Sequence, residues 1–450
     1  MPETSVQAAG IMRPRINASS NRILIVAGLF IQLAVIQPTL AATLPMLIEE
    51  TLASHPTVRG QRALQRSADE DLKAAEWKFY PTPSISVEQG VEASSGSVGQ
   101  ALVLGVQQPL WTGGRLTAGV EKAMAGVRLS QASIVNSQQE LALRVVQAYA
   151  DWYGSALRVR AFGKSRDVHE RLGQQIQRRI AQGMSPESDL LLLRARADQL
   201  NADLAAARTQ QAAALVVLSQ LSGVKLQYTD LGDLDKVGVS RLPALGPVND
   251  LIQRAIIENP VVRRMLAQAD VYQAEIAERK SALFPEAYLR VERRHNSAGL
   301  AQSSKENRIF IGVSSNFGPG LSSMSQIGGA KARYQSALED IESVRKSLTE
   351  QILLDHARIE DAGVRLVALV ASMKSSEDIS AAWARQFLAG RKSWLDVMNA
   401  ARELAQVEVQ IGDLTASQFL LSWRMSIVVK GVEATTSNMK PAPATPLSSQ

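Results

Sequence analysis

The sequence predicts a mostly helical chain made of two copies of one unit, each copy carrying two strands of membrane-spanning length. Three observations predict it. The first is self-similarity: Leu47-Ile48, His55-Pro56, Val58, Ala63 and Phe79-Tyr80-Pro81 recur as Leu251-Ile252, Asn259-Pro260, Val262, Ala267 and Leu283-Phe284-Pro285, 204 residues later. From Leu102 onward the offset is 207 residues, as in Leu102/Ile309, Gly105/Gly312, Val145/Ile352, Gly183/Gly390 and Asp189/Asp396. One length change, confined to 88–101 against 292–308, separates two long copies, which is an internal duplication and not a solenoid. The second observation is a drop of the apolar period from near 3.6 to 2 after Pro81 and again after Pro285. The third is a pair of proline-free stretches, 115–181 and 329–389, with apolar residues at coiled-coil spacing.

Residues 23–36 form an apolar run preceded by Arg13, Arg15 and Arg22 and followed by Thr39-Leu40-Ala41-Ala42. That order of basic, apolar and small residues marks 1–42 as a secretory signal peptide, with Met12 an alternative start. A retained anchor helix is the other reading, although the run is short for a membrane span. Removing 1–42 takes away three basic residues and one acidic residue, leaving 46 against 42, a balanced mature charge of +4 that gives no reason to expect nucleic acid. The chain has no cysteine, hence no disulfide, no thiolate metal site and no lipid-attachment thiol after the leader.

The first copy is expected at 43–223, a connector at 224–247, the second copy at 248–431, and a tail without structure at 432–450. Each copy reads helix, strand, strand, very long helix, turn, long helix. Leu102, Leu104, Val106 and Leu110 are expected on one strand face, as are Ile309, Ile311, Val313 and Phe317, over the length a tilted strand needs to cross a bilayer. Trp111, Phe310, Phe317, Tyr80, Phe284 and Tyr288 are expected as an aromatic girdle near the strand ends. The helix over 115–181 would run on the order of 100 Å and needs partners along its course. Its seam is Leu141, Val145, Ala148, Trp152, Val159 and Phe162, and a second seam begins Ile341, Leu348, Ile352 and Ile359. Gly183-Met184-Ser185-Pro186 and Gly390-Arg391-Lys392-Ser393 then read as turns between helices.

Four strands per chain cannot close a barrel in a membrane, because an open sheet edge leaves backbone groups unpaired in hydrocarbon. Two chains would give eight strands filled by side chains; three would give twelve, which begins to leave a lumen. His55, His169, His295 and His356 show no ligand spacing, no serine lies in a nucleophile elbow, and no constellation of acid, base and nucleophile is visible. No enzyme activity, metal or cofactor is expected.

The passages Gln107-Gln108-Pro109-Leu110-Trp111-Thr112-Gly113-Gly114-Arg115 and 387–400 (Phe387 to Ala400) resemble those of the TolC family of outer-membrane efflux and secretion channels, and the likeness spans about 44–431. The resemblance implies a homotrimer in the outer-membrane lipid of a Gram-negative cell, with a twelve-stranded β-barrel continued by a long periplasmic α-helical barrel. It implies a passive exit duct docked to a periplasmic adaptor and an inner-membrane transporter. It also implies a periplasmic constriction at Asp396, Asn399, Lys392 and Phe387, with Asp189 near the same aperture. Asn399 stands where the family has a second acidic residue, so weaker cation selectivity is expected, and Phe387, where the family has a tyrosine, has no hydroxyl to hold a gate closed. Gly183, Met184, Gly390 and Arg391 are implied as the tips that meet the adaptor, and the second hairpin as the one that moves on opening. The missing lipid-attachment cysteine favours type I protein secretion with an ABC transporter. Small-molecule efflux with a proton-driven pump is the alternative, and a soluble periplasmic coiled-coil protein is the rival of another class.

Overall fold

The computed structural model describes residues 42–91, 98–231, 234, 246–296, 305–315, 319 and 322–437. The expected leader, except Ala42, lies outside the described residues, as do Asn316, Phe317 and 438–450 of the tail. Along the chain come α1 (Leu44–Ser54), α2 (Pro56–Trp77), β1 (Thr82–Val91), β2 (Val98–Trp111), α3 (Arg115–Ala181) and α4 (Glu187–Ser222). After a short 3-10 turn at Tyr228–Leu231 follow α5 (Val248–Glu258), α6 (Pro260–Ser281), β3 (Glu286–Asn296), β4 (Lys305–Ser314), α7 (Ser322–Leu388), α8 (Trp394–Lys430) and α9 (Val432–Ser437). The bounds of α1 and α2 recur 204 residues later in α5 and α6, and those of α3 recur 207 residues later in α7.

Local chemistry sets these boundaries. His55 and Asn259 break the helix pairs in the same way: each is extended, precedes a proline at the first helical position, and caps the next helix. The His55 Nδ1 accepts the Thr57 N–H at 3.2 Å, and the Asn259 Oδ1 accepts that of Val261 at 2.9 Å. Helices α3 and α7 are each 67 residues long, about 100 Å at 1.5 Å per residue. Both end in a Schellman turn. Met184 N–H donates to Arg179 O at 2.8 Å and Gly183 N–H to Ile180 O at 2.9 Å; Arg391 N–H donates to Gln386 O at 2.9 Å and Gly390 N–H to Phe387 O at 3.0 Å. The φ angles of 69° at Gly183 and 72° at Gly390 explain why glycine stands there.

The four strands form one antiparallel sheet in the order β1-β2-β3-β4. Thr82 pairs with Gln107, and Glu286 pairs with Ser314, so the hairpins share one register once the two offsets are applied. One face is apolar and open: Ile85 is 72% exposed, Val87 69%, Ile309 72%, Ile311 78% and Val313 71%. The other carries Glu88, Arg290, Glu292, Arg294, Glu306 and Arg308, joined in the pairs Arg294–Glu88 (3.3 Å), Arg290–Glu292 (3.3 Å) and Arg308–Glu306 (2.6 Å).

Three expectations are corrected. Pairing puts Tyr288 opposite Gly312 and Phe310 opposite Arg290, so both rings lie on the charged face and not in a girdle on the apolar one. The Tyr288 ring lies so close to Gly312 that a Cβ there would come within 2.5 Å of it. A bulge between Pro109 and Trp111 takes Leu110 out of the ladder and gives Trp111 the register opposite Ala287. The tail is helical as far as Ser437, with Thr435 and Thr436 buried and the Thr435 hydroxyl 3.1 Å from that of Ser426.

The largest apolar cluster joins Leu47, Ile48, Val58, Leu141, Val145, Tyr149, Trp152, Leu218, Phe419 and Trp423, so α1 and α2 pack midway along the long helices. Its second-half counterpart gathers Leu251, Val262, Leu348, Ile352, Met425 and Val428. Of the expected seam residues, Leu141, Val145, Ala148, Trp152, Ile341, Leu348 and Ile352 are buried, and Val159, Phe162 and Ile359 are half-buried. Arg424 grips the buried Asp355 through both carboxylate oxygens, tying α8 to α7.

Candidate functional site

Two regions carry chemistry that a packed helical core does not need: the paired hairpin tips at one end of the long helices and the apolar sheet face at the other. At the tips, Leu172, Ile176, Leu193, Phe387, Trp394, Val397 and Met398 form a separate apolar cluster. It brings the ends of α3 and α7 together with the starts of α4 and α8. Phe387 is buried within it, and the Arg179 guanidinium sits 4.8 Å from the centre of its ring while donating to its carbonyl at 3.3 Å. Phe387 thus joins the two tips without a hydroxyl.

Asp396 is the third residue of a capping box. Its N–H donates to the Ser393 Oγ at 3.2 Å, and its carboxylate accepts from the Ser393 hydroxyl at 2.8 Å and the Ser393 N–H at 3.3 Å. The carboxylate remains partly exposed, with the Lys392 ammonium 3.9 Å away. Lys392 also lies 4.3 Å from the centre of the Trp383 ring. Asp396, Lys392 and Phe387 therefore sit on one turn. Asn399 lies one helical turn further on and lines a cleft of about 610 Å³ between α3, α4 and α8. Asp189, in the first turn of α4, is half-buried, and its N–H donates to Pro186 O at 3.2 Å. Gly183, Met184, Gly390 and Arg391 are exposed at the two turns.

His169 lines the same cleft and is buried, with Nδ1 2.8 Å from the Ser165 carbonyl. Burial lowers its pKa from the ordinary histidine value, and the hydrogen bond to Ser165 opposes that shift in part. Arg179, Trp383 and His169 escaped sequence reading as tip residues. Arg179 meets Phe387 across 208 residues of chain, and no local pattern signals such a pair.

At the other end, the strands' apolar face runs from Val313, Ile311 and Ile309 across Val291, Leu289 and Val106 to Leu104, Leu102, Val87 and Ile85. Among the described residues no helix is long and apolar enough to cross a membrane. A sheet with one exposed apolar face, carried on helices of about 100 Å, defines a channel-type protein with a strand-built membrane end. The chain belongs to the outer membrane efflux protein family, whose model matches 47–224 and 251–419, one segment in each half. It is an outer-membrane efflux channel with a large periplasmic helical part, and a transport protein, not an enzyme.

Among its relatives, the cobalt-zinc-cadmium resistance protein CzcC of Cupriavidus metallidurans is 23% identical over 343 residues, 74% of this chain and 77% of that one. The alkaline protease secretion protein AprF of Pseudomonas aeruginosa is 24% identical over 312 residues, 67% of this chain and 63% of that one. The solved outer-membrane channel OprN superposes with a TM-score of 0.75 at 20% identity, covering 86% of this chain and 89% of its own.

Proposed function

We propose that three copies of this chain form the passive exit duct of a tripartite export system. The observation that carries the reading is the open sheet: β1 and β4 are its two edges, and its apolar face is largely exposed. An unpaired edge in hydrocarbon costs several kcal/mol per backbone group. Pairing β4 of one copy with β1 of the next satisfies every edge, and twelve strands leave a lumen lined by the charged face. The duplicated halves then give the tube pseudo-sixfold symmetry, and the long helices continue it into the periplasm.

Asp396, with Asn399, Lys392 and Asp189, borders the periplasmic aperture in this reading, and the buried Phe387 holds the two tips together behind it. Three Asp396 carboxylates around a narrow lumen favour cations. The neighbouring Lys392 offsets part of that field, so the selectivity is weak. Gly183, Met184, Gly390 and Arg391 present the docking surface for a periplasmic adaptor, and the second hairpin moves on opening. Reversal potentials in planar bilayers test the ring: Asp396→Ala lowers cation selectivity, and an unchanged potential removes Asp396 from the lumen.

The driving partner is an ABC transporter, in type I protein secretion. The absence of a lipid-attachment cysteine and the likeness to AprF, a protease secretion protein, support this. The likeness to the metal-resistance protein CzcC, over a larger share of both chains, favours the second reading, efflux of small solutes by a proton-driven pump. Crosslinking in cells, purification of the detergent-solubilised complex and identification of the attached inner-membrane protein decide between them. Recovery in the soluble periplasmic fraction would sink both.

A further inference from the structure

On β3 and β4 the apolar face ends at one row of the ladder. Val291 opposite Ile309 is the last apolar pair; the next two rows toward the hairpin end are Arg293 opposite Asn307 and His295 opposite Lys305. All four side chains are exposed. Directly opposed residues lie about 5 Å apart and alternate residues on a strand about 7 Å apart, so two fixed cations and an imidazole share one small patch. Among the described residues of β3 and β4 no carboxylate shares that face. The carboxylates of β3 and β4 (Glu286, Glu292 and Glu306) project from the opposite face, where each is held by an arginine: Arg115, Arg290 and Arg308 respectively. Arg293 and Lys305 make no ion pair among the described residues.

Among the described residues the first hairpin carries nothing similar. Its matching rows are Gln89 opposite Gln100 and Val91 opposite Val98, all uncharged. At the helix end of the same face, Pro83, Ala287 and Val313 are uncharged too, so among the described residues the basic patch belongs to one hairpin and one leaflet. The helices are periplasmic, which places the hairpin ends of the strands on the cell exterior.

We propose that Arg293, His295 and Lys305 form a docking site for the phosphate-bearing headgroups of outer-leaflet lipids, seated beside the channel with their chains on the Val291–Ile309 band. The inference rests on the reading that the apolar face meets lipid. Its charge complementarity is specific: cations at the edge of a hydrocarbon-facing surface attract anionic headgroups, and they do so most where no protein carboxylate competes.

The test uses the full mature channel. Wild type and variants are first floated with phosphatidylcholine vesicles, and then titrated in detergent with lipid A bearing two phosphates and with the same lipid after enzymatic dephosphorylation, bound lipid being counted by native mass spectrometry. Wild type retains the phosphorylated lipid. Arg293→Gln with Lys305→Gln weakens retention on the order of twenty-fold, dephosphorylation does the same, and Arg290→Gln on the charged face changes little. Flotation with equal binding of both lipids, or undiminished binding by a folded double variant, overturns the inference and leaves the lipid-facing reading standing. Failure of wild type to float overturns that reading and the inference with it. If the double variant does not fold, the wild-type comparison of the two lipids still decides.

Discussion

The two halves of the molecule share one backbone and diverge in what their side chains do. Both tips are the same Schellman turn, and both long helices have 67 residues. Yet the first tip starts α4 behind Pro186 with no side-chain cap, whereas the second starts α8 with a capping box. Where the second half has the Asp355–Arg424 pair, the first has Ala148 and Val217 at the matching positions. Where the first has His169 in the cleft, the second has the buried Ser376. The halves agree in what helix geometry demands and differ in the side chains it leaves free.

Each difference can be removed by substituting one half with residues of the other. The largest effect is expected at Asp355. Asp355→Ala leaves Arg424 without its partner in a largely buried setting and costs about 3 kcal/mol, read as a lowered unfolding midpoint. Adding Arg424→Val, which completes the first-half pair, recovers most of it; no recovery would mean that the pair is not what distinguishes the halves there. Next, Arg179→Gln removes the cation over Phe387 and its bond to the Phe387 carbonyl, about 1.5 kcal/mol of tip closure. The expected result is roughly ten-fold more frequent opening in planar bilayers; unchanged opening would show that the contact is packing alone.

Ser393→Ala removes the hydroxyl of the capping box and costs about 1 kcal/mol, seen as faster amide hydrogen exchange in the first turn of α8. Ser185→Ala at the other tip leaves exchange in α4 nearly unchanged, since no side chain caps that helix. The smallest effect concerns acid. His169 has a folded pKa below its unfolded value of about 6.5, so it binds fewer protons folded than unfolded. Its share of stability is complete above that value and is lost as pH falls through it. Melting midpoints from pH 7.5 to 5 should drop less in His169→Ser, the second-half residue, than in wild type; parallel curves would exclude His169 as the source.

Much of this fold is legible along the chain. Pro56, Pro81, Pro260 and Pro285 set boundaries because a ring without an N–H acts within a residue or two. Gly183 and Gly390 end long helices because a positive φ is a local requirement. The alternation through Leu102, Leu104 and Val106 reads out an apolar face because pleating has a period of two. The candidate site was less legible. Asp396, Lys392 and Phe387 fall on one turn as sequence proximity suggests, but the partner of Phe387 lies 208 residues away.

By itself, then, the sequence determined the repeated order of elements, where the long helices end, the turns and the apolar strand face, all consequences of bonding over a few residues; it did not place the start of α7, which begins at Ser322 and runs through Gly328 and Gly329. Only the tertiary structure decided that Tyr288 and Phe310 turn to the charged face, that a bulge at Leu110 resets Trp111, that Arg179 holds Phe387 and that Arg424 holds Asp355. Those outcomes depend on register between strands and rotation between helices. A shift of one residue in either changes which side chains meet, and nothing along the chain records that shift.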